Sequence, residues 1–186
     1  MTIICALPDG DETILGCDQR AGDYLVPTKW VVHGRWAIGV SGAYRTQQLI
    51  ERATIPITDD PFVVSTWIRG LMIEDGYKSE SNDPPGFESN ILLSTPGRVW
   101  SVKGCFTAIE VAGFAAAGSG REYAIGAAWA AKKNGAAMEI VDYAVRAAIC
   151  NDPDGCGGDS VVVAQSLAVT AKPYEWCGGR GRNDAV

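Results

Sequence analysis

Histidine is nearly missing from this chain, with a single copy, His33, in 186 residues. A Ser-His-Asp triad, a Cys-His pair or a multi-histidine metal site would each have to rest on that one imidazole. It sits in Lys29-Trp-Val-Val-His-Gly-Arg35, a strand followed by a turn glycine, so its expected role is structural. Basic runs are missing too. With a formal net charge of −6 and no cationic cluster beyond Lys132-Lys133, the chain lacks the electrostatic footprint of a nucleic-acid binder. No apolar run approaches the ~20 residues that span a bilayer, so no membrane segment is expected. No basic region leads into an apolar one at the start, and Asp9-Gly-Asp-Glu12 arrives early, which argues against a secretory signal and for the cytoplasm. The cysteines (Cys5, Cys17, Cys105, Cys150, Cys156, Cys177) form no C-x-x-C pair, which argues against a zinc knuckle or a thioredoxin-like motif. Reduced thiols, mostly buried as small hydrophobes, are expected instead. Gly155-Cys-Gly-Gly158 is not followed by the Gly-Lys-Ser/Thr of a phosphate-binding loop. No metal and no cofactor is expected.

What the chain does have is a hydroxyl residue, Thr2, placed directly before an apolar strand. A threonine hydroxyl is a poor nucleophile until a base sits beside it. One compact way to supply that base is to make the same residue N-terminal, so that its own α-amine, with a pKa near 7.7 to 8, accepts the proton. Such a design requires that Met1 be removed, and the small side chain at position 2 is compatible with removal.

Hydrophobic residues at 47% and charged residues at 20% suit one domain with a sizeable core, spanning 1–186. In chain order, residues 2–8 and 13–18 flank an Asp-Gly turn and predict a hairpin. After a looser segment from Gln19 to Pro27, Thr28 to His33 and Trp36 to Ser41 predict a second strand pair. Ala43 to Ala53 predicts a helix, and Pro61 opens another that runs to about Glu74. Gly76 to Glu88 predicts a mobile loop. Strands follow at Asn90 to Thr95, Arg98 to Val102, Thr107 to Val111 and Phe114 to Ala117, expected as a second antiparallel group. Gly118-Ser119-Gly120 opens a third helix, where Ser119 with Glu122 fits a capping box. Ala136 to Cys150 predicts a fourth helix, Ser160 to Gln165 a last strand, and the tail from Ala171 is expected to fray. Helices in pairs alternating with antiparallel strands predict an α+β fold, a four-layer αββα sandwich.

Thr2 opening a strand, Asp18 ending the second, Lys29 beginning the third, Ser41-Gly42 at a strand-to-helix turn, Gly118-Ser119-Gly120 and Asn151-Asp152 come in an order that resembles the proteasome β-subunit family of N-terminal nucleophile hydrolases. The likeness is strongest to the HslV-type peptidase and runs from Thr2 to about Val163. It implies that Thr2 Oγ attacks the scissile carbonyl and that its freed amine is the general base. Lys29 would ease proton transfer through its charge, Asp18 would hold that lysine, and the Gly42 N–H would receive the oxyanion. Ser119 and Asp152 would hydrogen-bond near the threonine amine. After Asp152, where the family carries a serine, this chain has Gly155 or Cys156. The resemblance further implies a peptide or unfolded-protein substrate and a ring-shaped homo-oligomer, either fed by an ATP-driven unfoldase or free-standing. Two alternatives stay open: an amidohydrolase of the same fold acting on a small amide, and a catalytically silent structural subunit that retains Met1.

Overall fold

The computed structural model describes residues 2–76, 90–133 and 135–166. Most of the loop expected between Gly76 and Glu88, the tail expected from Ala171, Met1, Asn134 and Cys177 lie outside the described residues.

Two antiparallel sheets form the centre. The first, in the order β10-β1-β2-β11, combines β1 (Ile3–Asp9), β2 (Glu12–Cys17), β10 (Ala115–Gly118) and β11 (Val161–Ser166). The second, in the order β5-β6-β7-β8-β9, combines β5 (Trp30–His33), β6 (Trp36–Ser41), β7 (Asn90–Thr95), β8 (Arg98–Val102) and β9 (Ala108–Glu110). The segment expected to be irregular between Gln19 and Pro27 contains a minimal hairpin, β3 (Arg20–Ala21) with β4 (Tyr24–Leu25). Strand runs of two residues carry too little alternation to stand out in sequence. A second difference concerns β10. It was expected beside β9, yet it pairs with β1, Ile3 opposite Gly118, because the chain bends at Gly113 and crosses to the other sheet.

Side-chain alternation along each strand explains why there are four layers and not two. In β1, Ile3 and Cys5 face α3 (Arg121–Ala131) and α4 (Ala137–Asn151), packing with Ala124, Ala128, Val141, Ala144 and Val145. Ile4 and Ala6 face the opposite way, toward Trp30, Ala37, Leu92 and Val99 of the second sheet. The second sheet repeats the logic: Trp36, Ile38, Ile91, Leu93 and Trp100 face Ile50, Val64, Ile68 and Met72 of α1 (Tyr44–Arg52) and α2 (Pro61–Glu74). Both faces of the central strands β1, β2, β6 and β7 are thus largely withdrawn from water, whereas the edge strands β9 and β11 stay partly exposed. The molecule is a four-layer αββα sandwich.

Helix starts follow local chemistry where side chains supply it. Asp60 caps α2, its carboxylate accepting from Phe62 N at 2.8 Å, with Pro61 in the first turn. The expected capping box at Ser119 is not formed: the N-cap of α3 is Gly120 and no side chain bonds there. Ser119 is turned instead toward the chain after α4, where a Cβ on Gly155 would collide with both the Ser119 hydroxyl and the Asp152 carboxylate.

Candidate active site

The site lies between the two sheets, at one end of the sandwich. Antiparallel pairing gathers there the start of β1, the end of β2, the end of β10, the start of β5 and the end of β6. Asp18 follows β2 and continues its ladder through Asp18 N donating to Ile3 O, which sets its carboxylate beside the first residues of β1. That carboxylate is fully buried and saturated. Its Oδ1 accepts from Thr2 Oγ1 at 2.7 Å, Ile3 N at 2.9 Å and Lys29 Nζ at 2.6 Å. Its Oδ2 accepts from Arg20 N at 3.2 Å and Gly157 N at 3.0 Å. Five donors around one buried anion are what an ionised carboxylate needs to survive without water.

Lys29 comes from the other sheet. Its carbonyl accepts from Val40 N, so the residue sits at the end of the β5–β6 pair, and its side chain, 4% exposed, reaches across to Asp18. Burial pushes the Lys29 amine below the usual lysine value, against the Asp18 carboxylate, which pulls it up. The arrangement therefore brings a hydroxyl, a carboxylate and an amine of reduced proton affinity onto one oxygen atom.

Thr2 and Lys29 open onto a cleft of about 340 Å³, whose wall also includes Val40, Gly42, Ala43, Tyr44 and Gln47 on one side and Arg20, Ala21 and Gly22 on the other. Gly42 adopts φ +129°, a conformation that favours glycine, and its N–H takes no partner among the described residues. Gly118 is constrained twice, by its φ of +117° and because a Cβ there would collide with the Thr2 carbonyl. The sequence reading did not anticipate Arg20, Tyr44 and Gln47 as cleft residues. Arg20 lies on the small hairpin that was missed, while Tyr44 and Gln47 occupy a helix end with no motif of its own.

Ser119 and Asp152 meet each other behind the cleft, at the turn that follows α4. Neither shares a hydrogen bond with Thr2 among the described residues, and both converge on Cys156, whose Sγ lies 3.6 Å from Asp152 Oδ2. The buried Cys156 thiol is pushed up to about 12, first by burial, then by the charges of Asp18 and Asp152, with the Ser119 hydroxyl pulling the other way. Cys5, Cys17, Cys105, Cys150 and Cys156 are all free thiols. Of these, Cys5, Cys17 and Cys156 are buried, in line with the expectation for most of the cysteines, while Cys105 and Cys150 are exposed. His33 hydrogen-bonds the Ile50 carbonyl at 2.9 Å, away from the cleft.

No family model matches the chain, and no curated protein matches it. Solved structures do. "Thiobacillus denitrificans BPH" superposes with a TM-score of 0.73 at 20% identity, covering 89% of this chain and 98% of that one. The same protein in complex with epoxomicin gives 0.74 at 19% identity, covering 90% and 100%. HslV from Trypanosoma brucei gives 0.62 at 18% identity, covering 88% and 99%. The sandwich described above is accordingly the proteasome-like αββα fold that these solved structures share.

Proposed function

We propose that this chain is a threonine peptidase in which Thr2, made N-terminal by removal of Met1, is the nucleophile. The observation that carries the reading is the convergence of the Thr2 and Lys29 side chains on Oδ1 of the buried Asp18, where Thr2 and Lys29 line a cleft. A protein with this fold has been solved in complex with epoxomicin, which supports the peptidase reading.

In the reaction, Thr2 Oγ attacks the peptide carbonyl and passes its proton to the Thr2 amine. The oxyanion that forms is received by the Gly42 N–H. Collapse of the adduct expels the amine half of the substrate, which leaves with that proton, and water then hydrolyses the ester on Thr2. Lys29, as an ammonium, disfavours protonation of the neighbouring amine and so keeps it available as a base. Asp18 holds Lys29 and orients the Thr2 hydroxyl. Ser119 and Asp152, which meet at Cys156, hydrogen-bond near the freed Thr2 amine, and the turn they brace carries Gly157 N to Asp18. The active form is a ring-shaped homo-oligomer in the cytoplasm, either free-standing or fed by an ATP-driven unfoldase.

Four measurements test the reading together. Intact mass of the purified protein is expected to lack Met1, short fluorogenic peptides are expected to be cleaved, and Thr2→Ala is expected to lose that activity. An epoxyketone or similar electrophile is expected to leave its adduct on Thr2. Full activity in Thr2→Ala, or an adduct on Cys156, would overturn the mechanism.

A further inference from the structure

The start of α1 runs against the chemistry that steadies a helix N-terminus. No side chain caps it, its first turn carries no acidic residue, and that turn holds a cation instead, Arg45. A positive charge there opposes the helix dipole. The mirror case stands at the end of α2, where Asp75, the C-cap residue, puts a negative charge at the end that disfavours one. The two charges answer each other. Arg45 Nε donates to Asp75 Oδ2 at 3.0 Å and Arg45 Nη2 donates to Asp75 Oδ1, a bidentate fork that ties the two helix ends together. Hydrogen bonding from Arg45 holds the Asp75 carboxyl below its usual range, and the same contact raises the guanidinium.

What the fork holds lies beside the cleft. Gly42, Ala43 and Tyr44 line it, between Ser41, which is in register with Asn90 of β7, and Arg45. The segment that carries the Gly42 N–H is therefore pinned by the sheet on one flank and by the ion pair on the other. The rest of α1 is anchored further along: Gln47 Nε2 donates to Thr28 O at 3.1 Å, and Ile50 packs with Val64, Ile68 and Met72. In the first turn itself the buried Thr46 hydroxyl has no partner among the described residues, so it adds no tether there.

We propose that the Arg45–Asp75 pair is a positioning device for the reaction, fixing the first turn of α1 against the end of α2 so that the Gly42 N–H points at the developing oxyanion. This rests on the peptidase reading above and adds two residues that act through Gly42.

The test uses a fluorogenic peptide and the full chain. Asp75→Asn and Arg45→Gln are each expected to lower kcat roughly tenfold with KM nearly unchanged, short of the ~10²–10³-fold cost of deleting an oxyanion donor outright. The reversed pair, Arg45→Asp with Asp75→Arg, is expected to recover most of that loss, because it rebuilds the bridge with charges that also suit their own helix ends. A direct pull of the Arg45 charge on the oxyanion would leave the reversed pair as slow as the single variants. Glu110→Gln is the control: it breaks an equally bidentate pair with Arg98, at 2.8 Å for both bonds, whose residues do not line the cleft, and is expected to leave kcat alone. Unfolding temperatures are expected to move little throughout, since exposed pairs add little to stability. Hydrogen exchange over residues 43–50 needs no turnover, and is expected to quicken in Asp75→Asn and not in Glu110→Gln. Unchanged exchange, unchanged kcat, or a loss that the reversed pair fails to recover would each overturn the inference and leave the peptidase reading standing. A native chain that cleaves nothing sinks that reading instead, and exchange then decides by itself whether the pair holds α1.

Discussion

At the scale of single residues, the Asp18–Lys29 pair concentrates the most chemistry in the least space. Removing either partner leaves the other charge buried and alone, so Lys29→Ala is expected to cost about 3–5 kcal/mol of folding stability, measured by denaturant unfolding. Lys29 also gives the pH dependence its sign. Its amine holds a proton less tightly in the folded chain than in the unfolded one, because burial outweighs the pull of Asp18. The linkage therefore favours the folded state above the ordinary lysine value, and that contribution is lost as pH falls through the lower folded-state value. For activity the consequence runs the other way. kcat/KM is expected to rise as the Thr2 amine deprotonates and to fall again as Lys29 loses its charge, with the alkaline limb below the ~10.4 of an ordinary lysine. Lys29→Arg, which stays charged, is expected to erase the alkaline limb while lowering kcat through its altered geometry. A pH profile of the two proteins decides the matter, and an alkaline limb that persists unchanged in Lys29→Arg would reassign it to another group.

The thiols allow a contrast at the same scale. Cys105 is exposed, and its proton affinity is lowered by hydrogen bonding to Thr107, whereas Cys156 is buried and pushed up to about 12. Since the thiolate is the reactive form, brief alkylation of the native protein at neutral pH is expected to label Cys105 and spare Cys156, read by peptide mapping.

At the scale of elements, close packing of α4 on the first sheet depends on Gly16 in β2. A Cβ there would collide with Val141 Cγ1 and come within 3.0 Å of Val145 Cγ2. Gly16→Ala is expected to destabilise by about 1–3 kcal/mol through overpacking. Gly10, at φ +59° in the β1–β2 turn, has nothing within 4 Å of an added Cβ, so Gly10→Ala meets only backbone strain, about 1 kcal/mol. Comparing the two melts separates steric from conformational demand, and equal costs would refute the packing argument. Elements with strong periodicity were legible in the sequence: β1, β2, β6, β7, β8, α2 and α4 fall within a residue or two of their expected bounds. What escaped has local physical reasons. The β3–β4 hairpin is two residues a side, β10 changes sheet through a bend that no composition signal marks, and Ser119 spends its hydroxyl on a tertiary contact in place of a cap. Of the site, the order Thr2, Asp18, Lys29 and Gly42 was readable because each sits at a strand end. Arg20 was not, because its place in the cleft wall depends on Pro153 and Gly157, more than a hundred residues away.

At the scale of the whole molecule, the outer helix pair of the first sheet is dressed unlike a surface that faces only water. Trp129 on α3 is 78% exposed, Tyr143 on α4 is 55% exposed, and Tyr123 and Met138 are also exposed. Large apolar side chains gathered on one pair of helices are a common feature of surfaces that are covered in an assembly. If the proposed ring forms, part of this apolar area is buried between copies, and a charged residue at its centre should oppose association far more than it disturbs the fold, because Trp129 contributes little to the monomer core. Light scattering is therefore expected to give the native chain a mass several times that of one copy, and Trp129→Glu a mass reduced toward one, with the unfolding temperature of the separated chain nearly unchanged at low concentration. A native chain that runs as a monomer at every concentration would refute the ring. An assembly that ignores Trp129→Glu would move its contacts to another face, and the two results differ by mass alone.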